Sequence, residues 1–368
     1  VSDPPRLWLD GLRDEELGPL EPGRRALARD PFDEPEGSDP FLEAVEALEG
    51  LGTRAVEAAG GVPCPRPRGE TSAPDPEPRS RLPRLTEVPP PAPESLLERL
   101  VGEDGLRRVA ALAHLADSES GYDRYGLSPR TVRTALPFFL ALYRGWFRVQ
   151  SRGHEHLPAE GGAVLACNHG GLLPFDGAMA AIDVLLHTDP PRLVRSVVDR
   201  WAGALPWVNV FFARVGQVIG TRSNVSDLLA SGQLVLVFPE GMDGIRKRVT
   251  QRYRLQRFRV GFVEEALRAR VPVVPMAVVG SDDQAPILYD AKPLARLLGL
   301  PVAPVTPTFP WLGPLGLLPY PVSYRIVYGE PLPFHERHGP EAADDPRVVR
   351  YLASRVRREI QALLDRNR

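Results

Sequence analysis

His169 and Asp176, separated by six residues, are the side chains of this sequence best suited to move a proton. His169 follows Asn168 at the exit of a short apolar run, Ala163 to Cys167, of the kind that makes a buried strand. A neutral imidazole can take a proton from an alcohol near neutral pH. A carboxylate on its other nitrogen fixes the tautomer and stabilises the imidazolium. The same two residues would equally serve as caps at a helix N-terminus, and their spacing alone does not separate the two roles. A second turn, Phe238-Pro239-Glu240-Gly241, leaves another apolar run, Leu234 to Phe238. Glu240 is expected there to bind hydroxyls of a polar substrate, and Gly241 to permit close backbone approach. Alone, a Pro-Glu-Gly turn is ordinary. Two such turns in this order, each at the carboxyl end of a strand, predict one shared pocket.

Strands alternating with helices must position these groups. Besides the two runs above, Leu193 to Val198 and Val273 to Val279 are β-branched or continuously apolar. Helical spacing is predicted over Gly177 to Leu186, Ser223 to Ala230 and Arg259 to Arg270. Ser128-Pro129 opens another helix, containing Val132, Leu136, Phe139, Leu140 and Tyr143. The alternation predicts an α/β fold, a layered sandwich with a largely parallel central sheet flanked by helices. Residues 128–368, including a C-terminal helix, form the expected catalytic domain. Residues 94–127 are expected to be a helical linker region, broken near Gly105. Eighteen of the 41 prolines precede Ser95, and Gly61 to Pro93 shows no apolar periodicity. Residues 1–93 are therefore expected to be a Pro/Arg-rich, largely disordered accessory region. A short helix is predicted near 40–58, where Phe41, Leu42, Val45, Leu48 and Leu51 recur at helical spacing.

Composition narrows the function. The 368 residues suffice for one large catalytic domain plus an accessory region, and 43% hydrophobic with 25% charged residues is ordinary for a globular chain. Cys64 and Cys167 make neither a disulfide framework nor a zinc cluster, which fits a reducing cytoplasm. His335 and His338 lack a carboxylate framework, so no metal is expected. The N-terminal residues lack the basic-then-apolar order of a signal peptide. No run approaches the roughly 20 apolar residues of a membrane span, which leaves interfacial attachment open. No Gly-x-Ser-x-Gly elbow or glycine-rich cofactor fingerprint occurs. Cys167, inside a predicted strand, is expected to be packed rather than reactive.

Taken together, these blocks resemble the glycerolipid acyltransferase superfamily, whose members acylate glycerol-3-phosphate and 1-acylglycerol-3-phosphate. The resemblance covers about Pro137 to Gly329. Asn168-His169 with Asp176 is similar to the family's His-Asp signature. Gly216 to Arg222 is similar to its second block, whose arginine contacts an anionic acceptor. Phe238 to Gly241 matches the third block, and Val271-Pro272-Val273-Val274-Pro275 the fourth. The commonest family pattern leaves four residues between histidine and aspartate, although a subset carries a Gly-Leu-Leu-Pro insert. The family's third block usually continues Glu-Gly-Thr-Arg-Ser, whereas this chain reads Glu240-Gly241-Met242-Asp243-Gly244. The phosphate-binding arginine expected there is missing.

Two neighbouring features bear on substrate and location. Seven basic residues and no acid lie between Gly244 and Val263, and they include Lys247, one of only two lysines in the chain. Such a run attracts phosphate, coenzyme A, an acidic carrier protein or anionic lipid, or is simply a solvated arginine-rich surface. From Leu297 to Tyr324 there are seven prolines and no charged residue. That loop suits a bilayer interface, the wall of an acyl site or packing on the domain core, and Leu136 to Phe147 is a second candidate membrane contact.

The resemblance implies acyl transfer from acyl-CoA or an acyl carrier protein to a lysophospholipid or glycerol phosphate. His169 would be the base and Asp176 its partner, with Asn168, Arg222, Glu240, Gly241 and Lys247 holding substrate. No cofactor and no nucleic-acid partner are expected. The expected location is cytoplasmic, peripheral on the inner face of the membrane. Two alternatives stay open: the same chemistry on a non-phosphorylated lipid alcohol, and a non-catalytic lipid-binding protein.

Overall fold

The computed structural model describes residues 84–93, 95–117, 119–199, 206–291 and 302–368. The predicted helix near 40–58, Lys292 and residues 297–301 of the uncharged stretch lie outside the described residues. The main sheet draws on β1 (Gln150–Arg152), β2 (Ala163–Cys167), β3 (Val194–Val198), β4 (Val218–Ile219), β5 (Leu234–Val237) and β6 (Val273–Val279). A separate antiparallel ribbon, β7 (Tyr289–Asp290) with β8 (Pro304–Val305), precedes β9 (Arg325–Tyr328), the seventh strand of the main sheet. Strand order is β1-β9-β6-β2-β5-β3-β4. The five strands from β6 to β4 are parallel; β9 runs antiparallel to β6, and β1 runs parallel to β9.

Alternation along the central strands divides the core into two layers. Ala163, Leu165, Cys167, Leu234, Leu236, Val274, Met276 and Val278 point to one face. There they pack under α1 (Leu96–Ala110), α2 (Pro129–Ala141) and α3 (Phe175–His187), and α4 (Val208–Arg214) stacks Phe211 on Phe139 of α2. Val164, Ala166, Val235, Val237, Val273, Ala277 and Val279 point to the other face. They meet α5 (Arg222–Ala230), α7 (Gly261–Arg268) and α9 (Pro346–Asn367). Two short helices, α6 (Met242–Ile245) and α8 (Phe334–Arg337), complete the set. Strands covered on both sides must be apolar throughout, which explains their uninterrupted runs.

Local signals set the helix ends. Ser95 and Glu98 form a reciprocal capping box that starts α1, and the Ser128 hydroxyl accepts from Thr131 N, with Pro129 opening α2. The break inside α1 falls at Gly102, with φ of 80°, rather than near Gly105. Only a residue without Cβ adopts that left-handed conformation cheaply. Along α9, Val349, Leu352, Ala353, Val356, Ile360 and Leu363 are buried at three- and four-residue spacing against the sheet. Leu106, Val109 and Leu112 enter the same core layer as Leu136 and Leu140, so α1 packs directly on the sandwich. Among the described residues no helix is long and apolar enough to cross a membrane.

Candidate active site

His169 emerges from the carboxyl end of β2, and Asp176 is the second residue of α3. Four loop residues, Gly171 to Pro174, let the chain double back so that the two side chains meet. His169 Nδ1 lies 2.7 Å from Asp176 Oδ2. Asp176 is fully buried, while the His169 side chain keeps partial exposure. The carboxylate is fixed further by Gly170 N, donating to Oδ2 at 3.0 Å, and by Gly177 N, donating to Oδ1 at 2.8 Å. An ionised aspartate oxygen accepts only, so Nδ1 carries the proton, and in the neutral ring Nε2 keeps its lone pair. Phe238 stacks on the imidazole with ring centroids 4.2 Å apart. A ring held by a hydrogen bond on one edge and an aromatic face on another loses the rotations that would spoil proton transfer.

The third block lies directly beneath. Glu240 is buried; its Oε1 accepts from His169 N at 3.0 Å and its Oε2 from Gln256 N at 2.7 Å. Lys247 Nζ reaches Glu240 Oε1 at 3.6 Å and Asp282 Oδ1 at 3.1 Å, and Asp282 Oδ2 accepts from Tyr253 N at 2.6 Å. Burial pushes the Glu240 carboxyl above its ordinary range, and Lys247 with the two N–H donors pulls the other way. The result is a clasp joining the ends of β2, β5 and β6 under the backbone of His169. Burial also pushes the Cys167 thiol far up, so it stays protonated and is no nucleophile.

An apolar cavity of about 480 Å³ runs between α2, α3 and α4 over β3. Its wall begins at Leu173, Pro174 and Phe175, in the segment that joins His169 to Asp176, and includes Leu136, Ile182 and Leu193. That volume falls within the range of about 300–1,000 Å³ typical of small-molecule sites.

A family model described as Acyltransferase matches residues 148–279, the stretch that holds both members of the dyad. An uncharacterised protein of Mycobacterium tuberculosis is 40% identical over 277 residues, spanning 74% of this chain and 75% of the relative. The chain shares a family with that mycobacterial protein and carries an Acyltransferase domain over residues 148–279. A human protein named DGAT1/2-independent enzyme synthesizing storage lipids is 24% identical, over 65% of this chain and 66% of that one. The crystal structure of the 1-acyl-sn-glycerophosphate acyltransferase PlsC of Thermotoga maritima aligns with a TM-score of 0.40 and 16% identity. It covers 74% of this chain and 86% of that one.

The structure gives partners within the protein to five of the residues expected to hold substrate. Asn168, expected to touch substrate, is buried and staples β2 to β6: its Oδ1 accepts from Val278 N at 2.8 Å and its Nδ2 donates to Val278 O at 3.1 Å. Each Glu240 oxygen, expected to meet a substrate hydroxyl, accepts from a backbone donor, one of them His169 N. Gly241 N donates to Phe238 O at 2.9 Å, closing its own turn. Lys247 is buried between two acids rather than displayed with the exposed arginines around it. Arg222, at the start of α5, pairs with Glu264 of α7 at 2.7 Å.

Other acyltransferase residues gave little sequence signal. Gln284 donates to Gly170 O at 3.0 Å and to Leu173 O at 3.2 Å, and accepts from the buried Tyr324 hydroxyl, shaping the loop between His169 and Asp176. That loop needs Gly171 at φ of 76°, where an added Cβ would lie 1.8 Å from Gln284 Nε2. Gly244 fits against His169, with an added Cβ only 2.8 Å from the His169 Cβ. Asp183, two turns beyond Asp176 on α3, accepts the hydroxyls of Tyr143, Ser151 and Tyr328, locking α3 to β1 and β9. The one hint in the sequence is an aspartate at helical spacing from Asp176 within an otherwise apolar helix.

Proposed function

We propose that the protein transfers a fatty acyl group from a thioester donor, acyl-CoA or an acyl carrier protein, to a glycerolipid hydroxyl. A lysophospholipid or glycerol phosphate is the acceptor, and His169 is the general base. The observation that carries this is the 2.7 Å contact between His169 Nδ1 and Asp176, which leaves Nε2 of the neutral ring as acceptor, and the loop joining the pair walls an apolar cavity sized for an acyl chain. Nε2 takes the hydroxyl proton as the acceptor oxygen attacks the thioester carbonyl. The carbon–sulfur bond then breaks, and the leaving thiolate takes the proton back from the imidazolium. Asp176 holds the ring and offsets its transient positive charge. General-base assistance of this kind contributes about 10²–10⁴ in rate. With a long-chain acyl-CoA and a purified lysolipid, thiol release should fall by at least that factor in His169→Ala while the fold is kept. Retained turnover would overturn the assignment.

An uncharged lipid alcohol is the second acceptor reading, and the cation partners favour it. Arg222 pairs with Glu264 and Lys247 with Asp282, so the two cations expected to hold a phosphate already meet carboxylates. The human relative's name, an enzyme synthesizing storage lipids, points the same way. Rates on lysophosphatidate, other lysophospholipids and monoacylglycerol separate the two. Equal or faster turnover without the phosphate favours the alcohol. The acyl-bearing acceptors among these reside in a bilayer. We therefore take the protein to act peripherally on the cytoplasmic face, where acyl-CoA and acyl carrier protein are found.

A further inference from the structure

Three separate stretches put large apolar side chains into solvent. Phe138 of α2 is 62% exposed, Trp207 at the start of α4 is 86% exposed, and Trp311 in the loop before β9 is 77% exposed. Trp146, Phe211 and Leu315 are exposed beside them. Contacts join the stretches into one surface. Phe138 meets Phe139 at 5.3 Å between ring centroids, and Phe139 stacks on Phe211 at 6.3 Å. At the far end of α2, Trp146 Nε1 donates to Pro319 O at 3.2 Å, and Arg148 donates to Pro321 O at 2.8 Å, which ties the loop to the helix. Phe138 and Phe211 also line the cavity, so its mouth opens within this surface.

Charge on the same stretches has one sign. Residues 129–154, 206–226 and 302–329 contain no aspartate or glutamate. Arg130, Arg144 and Arg148 are exposed there. Arg130 shares the exposed face of α2 with Thr134 and Phe138, since side chains four apart stack on one face. A soluble surface seldom gathers this many exposed aromatics. Aromatic side chains beside arginine, on stretches that carry no acid of their own, match a headgroup layer over hydrocarbon, where each surface arginine adds attraction to anionic lipid.

We propose that this three-part surface docks on a bilayer containing anionic lipid and turns the cavity mouth toward the hydrocarbon. Acyl chains then enter laterally instead of crossing water. The cavity's contents rest on the acyl-transfer reading above; the docking surface itself does not.

Flotation of the full chain with phosphatidylcholine vesicles, with and without phosphatidylglycerol, tests it. The chain should partition onto the anionic vesicles and weaken as salt is raised. The loop variant W311S/L312S/L315S, which leaves cavity and dyad untouched, should lose about a hundredfold in partition. Its turnover of a detergent-dispersed acceptor should stay unchanged. R130Q/R144Q should lose roughly 25-fold on anionic vesicles and little on neutral ones. Equal partition of wild type and loop variant, or indifference to phosphatidylglycerol, overturns the proposal. A chain that floats as described but transfers no acyl group supports the surface and refutes the enzymatic assignment instead.

Discussion

Replacing Asp176 with asparagine tests the dyad by exchanging a single heavy atom. The carboxylate receives three hydrogen bonds, from His169 Nδ1 and Gly170 N on Oδ2 and from Gly177 N on Oδ1. An amide offers one oxygen and one NH2. With its oxygen at the Oδ2 position, His169 keeps its tautomer but loses the charge that offsets the imidazolium, and the amide meets the Gly177 N–H donor to donor. With its NH2 there, Gly170 N is orphaned and Nδ1 must accept, which moves the proton to Nε2 and removes the base. Either way one buried backbone donor is left unsatisfied, at about 1–3 kcal/mol. That corresponds to a melting point lower by roughly 2–12 °C. The rate cost is about 10²–10⁴, the upper end applying to the wrong tautomer. Thiol release under saturating acyl-CoA and lysolipid measures kcat, and calorimetry measures the melting point. Because Asp176 lies behind the imidazole, kcat should fall with KM little changed. A folded Asp176→Asn protein with wild-type kcat would refute the assignment of His169 as base.

The clasp and the cavity give three further expectations. Lys247→Met leaves Glu240 and Asp282 buried without their shared cation and should cost about 3–5 kcal/mol in denaturant unfolding; a loss under 1 kcal/mol would dismiss the clasp as a stabilising element. Glu240, raised by burial, keeps its proton when folded at pH values where the unfolded chain has released it. Its contribution is therefore complete below the ordinary carboxylate range and lost as pH rises through the folded value. Glu240→Gln should flatten that decline in a pH series of melting points, and an unaltered slope would assign the decline to other groups. Ala181→Phe fills part of the cavity and should shift preference toward shorter acyl-CoA by about tenfold or more. An unchanged chain-length profile would place the acyl group elsewhere.

The layered sheet was legible because strands covered on both faces must be apolar end to end, and Ala163 to Cys167 and Val273 to Val279 are. His169 and Asp176 were legible as a pair because both sit where a strand hands over to a helix. The clasp was not. Lys247, Glu240 and Asp282 come from three separate turns, and local sequence does not say which acid a lysine will meet across a sheet. A run of basic residues free of nearby acids in the chain suggested a surface, yet the partners of Lys247 and Arg252 arrive from the turn after β6. The partner of Arg222 was hidden for a similar reason, since Glu264 lies 42 residues further on in a different helix. The break in α1 went to Gly102 and not Gly105 because Gly105 packs over Val101, where helical geometry must hold.

One reversed strand has a consequence for how this enzyme meets its substrates. β9 runs against β6, so the chain leading into it starts at the edge of the sheet where β6 finishes, the edge that carries His169. A parallel β9 would have delivered that segment to the opposite rim, some 20 Å away at about 3.3 Å per residue of β6. With β1 and β9 both turned against the other five strands, the uncharged loop and His169 share one rim of the sheet, the placement that the proposed docking and the proposed chemistry both require.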